Sequence, residues 1–111
     1  FLLHSCGSIF PVMDDLIDIV KIDAKHSNED CIAPFSEWLN RCGSLIGNFG
    51  GVDVDVLCKK SEKEIVEYVS NVYYSSLGHG GVAIGSGNSI PEYVPEQGYL
   101  AMVNTVRDLR G

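Results

Sequence analysis

Arginine is scarce in this chain and no cysteine stands in a CxxC pair, and each absence removes a class of function. Only Arg41, Arg107 and Arg110 occur in 111 residues, and the formal net charge is −7. A nucleic-acid partner requires a basic face that releases counterions from phosphates, so this charge balance excludes one. No apolar run approaches the roughly 18 residues that a membrane span needs. The opening Phe1-Leu2-Leu3 is too short and too quickly polar for a signal peptide. These absences give the expectation of a soluble, cytoplasmic chain without a membrane partner. The four cysteines, Cys6, Cys31, Cys42 and Cys58, are spread at wide, irregular intervals, unlike a disulfide scaffold or a zinc ribbon. Reduced thiols are the default, and Cys31, Cys42 and Cys58, with no neighbouring His or Cys, are expected to be small buried hydrophobes.

What is present is enough apolar chain for one core: 45% of the residues are hydrophobic, which suits a single globular domain over 1–111. Short apolar runs alternate with helical patterns. Phe1-Leu2-Leu3 reads as a strand end, and Pro11 opens a helix on which Val12, Leu16, Ile17 and Val20 recur at helical spacing. A second strand is expected over Val20 to Ala24, a short helix over Phe35 to Arg41 stopped by Gly43, and a third strand over Leu45 to Phe49 broken by Gly50-Gly51. Ser61-Glu62-Lys63-Glu64 has the form of a capping box. Ile65, Val66, Val69, Val72 and Tyr73 make an apolar stripe behind it. Val82-Ala83-Ile84 is the fourth strand, followed by a loop of small residues, Gly85 to Tyr93. Pro95 then opens a last helix with Leu100, Val103, Val106 and Leu109 facing inward. Strands alternating with helices imply parallel pairing through right-handed crossovers, and four βα units are half of an eight-unit barrel. The fold class is therefore expected to be α/β, half of a TIM (β/α)8 barrel.

The chemical signal lies in His4-Ser5-Cys6-Gly7. A histidine and a cysteine two apart at the end of a strand share a face, within reach of one soft metal ion. Set against this is a buried, hydrogen-bonded histidine beside an apolar cysteine. Other polar residues fall where strand ends are expected to meet loops: Asp23, Asn48, and Ser86 and Asn88 within Gly85 to Ser89. The barrel reading makes that rim the place for substrate-binding groups; plain loop roles are the alternative, and turn geometry alone explains Gly85 and Gly87. His26 and His79 read as solvated, and Tyr68, Tyr73 and Tyr74 as packing. No residue is singled out as catalytic.

The order His4-Ser5-Cys6-Gly7-Ser8-Ile9, then Gly50-Gly51-Val52-Asp53, then Gly85-Ser86-Gly87-Asn88-Ser89-Ile90-Pro91-Glu92-Tyr93-Val94-Pro95 resembles the C-terminal half of the uroporphyrinogen decarboxylase superfamily, over essentially the whole chain. That resemblance implies a TIM barrel and one of two activities. In the methyltransferase branch, which acts on thiols such as coenzyme M, a His-x-Cys pair and a later cysteine hold zinc, and zinc holds the thiol for methyl transfer from a corrinoid. His4 and Cys6 match the pair. The later cysteine falls at or near Ser86, so a third ligand is lacking, with Asp23 a candidate to supply it. The decarboxylase branch relies on arginines and an aspartate of an N-terminal segment absent from this chain, and on a histidine where Ser86 or Asn88 stands. Expected ligands are a thiol, a corrinoid or a porphyrinogen-like molecule, with a corrinoid protein as a possible partner. The chain is expected to be a partial domain, since Phe1 starts in mid-strand, and to be inactive alone as a decarboxylase. The other reading is a catalytically incomplete domain that keeps the fold as a binding or interaction module. Open sheet edges lead to the expectation of a homo-oligomer.

Overall fold

The structure is a computed structural model that describes residues 1–111. Its four strands, β1 (Leu2–His4), β2 (Ala24–His26), β3 (Gly47–Val52) and β4 (Val82–Ser86), form one sheet in the order β1-β2-β3-β4 with every pair parallel. Helices α1 (Met13–Asp18, after a 3-10 turn at Phe10–Val12), α2 (Phe35–Cys42), α3 (Val54–Lys59), α4 (Glu62–Ser76) and α5 (Glu96–Arg110) connect and follow the strands. Neighbouring parallel strands in sequence order, each followed by a helix, are the arrangement of consecutive βα units. The α/β class with an all-parallel sheet is thus observed.

The helices bury two adjoining clusters against the sheet. One gathers Met13, Ile22, Phe35, Trp38, Leu39, Cys42, Ile46 and Val72; the other gathers Val52, Leu57, Ile65, Val69, Ala101 and Met102. Register assigns the faces. Leu3, Lys25, Asn48 and Val82 share one rung, and Leu3 and Val82 pack into the first cluster. The next rung, carrying His4 and His26, therefore belongs to the opposite face, because strand side chains alternate. On that face Leu2, His4 and Ala83 are exposed.

Several local features follow from single residues. The Ser61 to Glu64 capping box forms: the Glu64 amide donates to Ser61 Oγ at 3.3 Å and the Ser61 amide donates to Glu64 Oε2 at 2.8 Å. In α2, Trp38 is buried and stacks on Phe10 with ring centroids 3.8 Å apart. Gly98 lets α5 approach α3, since a Cβ there would overlap the Leu57 carbonyl oxygen.

Four expectations are corrected. The second strand is Ala24–His26 rather than Val20 to Ala24: α1 ends at Asp18, Ile19 and Val20 are exposed, and Lys21 turns the chain at φ 62°. The polar Lys25 is accepted inside because its ammonium donates to the Ser27 carbonyl and lies 3.9 Å over the Trp38 ring. Gly50 and Gly51 do not break the third strand but run through it with φ of 118° and 99°; a Cβ would come 2.8 Å from Asn28 Oδ1 at the first and 2.7 Å from Phe35 at the second. Helix α3 was not expected; Asp53 caps it by accepting from the Asp55 amide at 2.8 Å. In α5 the fully buried residues are Gly98, Ala101, Met102 and Thr105; Val103 and Val106 pack half-buried against the second cluster as expected, while Leu100 stays 43% exposed.

Candidate functional site

The C-terminal ends of β1, β2 and β4 bring three polar positions together. Register places His4 opposite His26, and their Nδ1 atoms lie 2.9 Å apart. The other nitrogen of His26, Nε2, lies 3.0 Å from the carbonyl oxygen of Ser86 at the end of β4. On the far side of His4, Nε2 lies 3.7 Å from Cys6 Sγ. His4 and Cys6 thus converge, although Cys6 sits beyond the strand and both are exposed rather than buried.

Asn88 continues the chain of contacts. Its Nδ2 donates to Cys6 Sγ at 3.6 Å and to Glu29 Oε1 at 3.2 Å, and its Oδ1 accepts from the Ser89 amide at 2.8 Å. That last bond sets the amide's orientation, since only the oxygen can accept from a backbone N–H. Glu29 in turn accepts from the Cys31 thiol at 3.6 Å.

Beside this cluster opens a cleft of about 570 Å³ between the loops after β2, β3 and β4. Glu29, Asp30, Asp53 and Asp55 make its wall acidic, and Asn88 and Tyr93 line it as well. Burial pushes the Asp30 carboxyl up from its ordinary range; a 2.5 Å hydrogen bond from the Tyr68 hydroxyl opposes the shift and nearby Asp53 adds to it. The Tyr68 phenol is raised as well, first by burial and then by Asp30. Desolvation, then Glu29, holds the Cys31 thiol above its usual value.

Asn28 holds the rim in shape. Its Oδ1 accepts from the Gly51 amide at 2.7 Å and its Nδ2 donates to the Phe49 carbonyl at 3.1 Å, so one amide side chain fills a donor and an acceptor of β3. Its own backbone amide donates to the Gly87 carbonyl at 2.8 Å, and the Gly87 amide donates to the Val52 carbonyl at 2.6 Å. The loop after β4 is thereby stitched onto β2 and β3.

Of the residues expected at the rim, the structure gathers His4, Cys6, Ser86 and Asn88, with Ser86 contributing its backbone carbonyl. Two lie elsewhere. Asp23 precedes β2, at the opposite end of the strands, where it pairs with the amino group of Phe1. Asn48 is buried on the rung of Lys25 and donates to the Ile46 carbonyl at 3.1 Å, which makes it part of the helix layer. Asp23 therefore cannot complete a His4–Cys6 metal site. His26, read as solvated, is a half-buried strand residue with both ring nitrogens engaged. The signal for it was a recurrence: β1 and β2 each end on a histidine followed by a serine, at His4-Ser5 and His26-Ser27. Tyr68 packs as expected but also anchors Asp30, and no sequence pattern marked Asn28 or Glu29.

No three or more His, Cys, Asp or Glu side chains converge as a metal-binding group. Comparison with protein-family models, curated proteins and solved structures returns no match to this chain. No helix is long and apolar enough to cross a membrane.

Proposed function

We propose that this chain is the C-terminal half-barrel of a uroporphyrinogen decarboxylase superfamily enzyme of the methyl-transferring kind, with His4 and Cys6 as two ligands of a zinc that holds a thiol substrate. The observation that carries the reading is the 3.7 Å separation of His4 Nε2 and Cys6 Sγ. Two ligands of one tetrahedral zinc, at bond lengths of about 2.0 and 2.3 Å, lie roughly 3.5 Å apart. Thiolate with imidazole is also a donor set that zinc favours. When bound there, zinc supplies the charge that keeps a thiol deprotonated at neutral pH.

The chain's own residues do the rest. Asn88, which lines the cleft, donates to the Cys6 sulfur and steadies it. The acidic wall of Glu29, Asp30, Asp53 and Asp55 favours a neutral or cationic substrate over a polycarboxylate such as a porphyrinogen. Arg41 lies on α2 and Arg107 and Arg110 on α5, away from that wall, so decarboxylation of a porphyrinogen is disfavoured. A catalytic zinc takes three protein ligands; the third comes, in this reading, from a segment paired on a free sheet edge, and a corrinoid protein delivers the methyl group. Those free edges also support pairing with a second copy.

A second reading, a half-barrel that keeps the fold and binds without catalysis, is favoured by the same shortage of a third donor. Metal content of chain purified without chelator, beside a Cys6→Ser variant, separates the two. Sub-stoichiometric zinc that falls in the variant supports the metal site. Equal metal in both removes Cys6 from it and leaves the binding module.

A further inference from the structure

We infer that His26 is a positioning residue that fixes the tautomer of His4, so that His4 turns a bare Nε2 lone pair toward Cys6. The argument starts at a carbonyl. Ser86 O has no proton to give, so the 3.0 Å contact with His26 Nε2 exists only if that nitrogen carries a hydrogen. A neutral His26 then has a bare Nδ1. The 2.9 Å contact between the two Nδ1 atoms needs one donor, and His4 must be it. With its proton on Nδ1, neutral His4 has a bare Nε2, the atom 3.7 Å from Cys6 Sγ.

The chain of donors thus runs Cys6 thiol to His4, His4 to His26, and His26 to the backbone of β4. Each link is set by the one behind it, and the last is anchored in the sheet. Free histidine in water prefers the proton on Nε2, the opposite tautomer. His26 therefore holds His4 in its less favoured form, the form in which the nitrogen facing Cys6 accepts a thiol proton or binds a soft cation. Ligating histidines are commonly oriented by a hydrogen bond at their second nitrogen; here the acceptor is a second imidazole from the adjacent strand. The role for a metal rests on the reading proposed above, whereas the tautomer assignment does not.

Nitrogen NMR of the metal-free 111-residue chain labelled at histidine, at pH 8 where ordinary imidazoles are neutral, reads both tautomers directly. The expected result is a proton on Nδ1 of His4 and on Nε2 of His26. His26→Phe should return His4 to the Nε2-protonated form. His26→Asn, whose side-chain oxygen replaces the Nδ1 acceptor, should keep His4 protonated on Nδ1. A wild-type chain with His4 protonated on Nε2, or a folded His26→Phe chain with His4 unchanged, overturns the inference. Zinc titration adds a separate measure: His26→Phe should bind about 10- to 100-fold more weakly than wild type and His26→Asn less so. A wild-type chain with both expected tautomers and no zinc uptake retires the metal reading and leaves the positioning role standing.

Discussion

The Nδ1 atoms of His4 and His26 face each other at 2.9 Å across the β1–β2 pair, on a rung set by the parallel register Leu2 with Ala24 and Leu3 with Lys25. Slipping that register by one residue would set Lys25 opposite His4 and turn one of the two imidazoles into the helix layer. The site thus depends on the core: Leu3 packs among Met13, Trp38 and their neighbours, and that packing holds the rung that aligns the imidazoles. The arrangement around His4 is in this sense a property of two strands rather than of the His-x-Cys spacing alone.

Asn28→Ala should cost about 2 to 4 kcal/mol, because it leaves the Gly51 amide and the Phe49 carbonyl without partners near the core. Gly87→Ala should destabilise as well, since the added Cβ would overlap the Asn28 carbonyl oxygen. Urea unfolding curves for both variants provide the measurement. A loss under about 0.5 kcal/mol for Asn28→Ala would show that water replaces both bonds at no cost.

Lys25 predicts a pH-dependent gain. It is 2% exposed and has no carboxylate partner; burial lowers its pKa to about 8, with the Cys42 and Cys6 thiols opposing the shift. The folded chain therefore releases this proton near pH 8, while the unfolded chain keeps it until about pH 10.5. Below pH 8 the full cost of holding the buried charge is present, and it is relieved as pH rises from 8 toward 10.5. Lys25→Met should be more stable than wild type by about 1 to 2 kcal/mol at pH 7. The advantage should shrink by pH 10. An advantage that stays constant over that range would locate the gain in packing rather than in the charge.

The sequence disclosed the elements whose signals are local. The Ser61 to Glu64 box is written within four residues, and Phe35 to Arg41 carries its own apolar stripe, so α4 and α2 lie where periodicity predicts them. Features made by tertiary contact were illegible. Gly50 and Gly51 look like a break until Asn28 and Phe35 occupy the space their side chains would need. Lys25 and His26 look like loop until Trp38 and Ser86 receive them. For the site, the pairing of His4 with Cys6 followed from spacing in the chain. The company of His26 and Glu29 depends on strand order, which no local pattern encodes.

Tyr68→Phe isolates one electrostatic link at the cleft. The hydroxyl donates to Asp30 and restrains the rise that burial causes in that carboxyl's pKa. Removing it should move the Asp30 pKa further up, so that the carboxyl stays protonated to a higher pH. Carbon NMR titration of the Asp30 carboxyl in both chains follows this directly, and a downward movement in the variant would mean that the hydroxyl does not favour the charged form.

Assembly gives the last prediction. β1 and β4 are the sheet's edges, and each presents a row of unpaired backbone groups that a further strand can satisfy. Parallel sheets are stable when both faces are covered, yet Leu2, His4 and Ala83 stand exposed on the face away from the first core cluster. Along β4, Ile84, Met102, Val103 and Val106 line a groove of about 320 Å³ beside α5. The chain should therefore associate in solution, with a second copy covering the edge and the open face. Light scattering should give a mass near twice that of one chain, falling on dilution. Leu2→Asp, a change at a 52% exposed position, should return it to a monomer by placing charge on the covered face. A wild-type monomer that remains folded across dilution would show that four strands and one helical layer suffice.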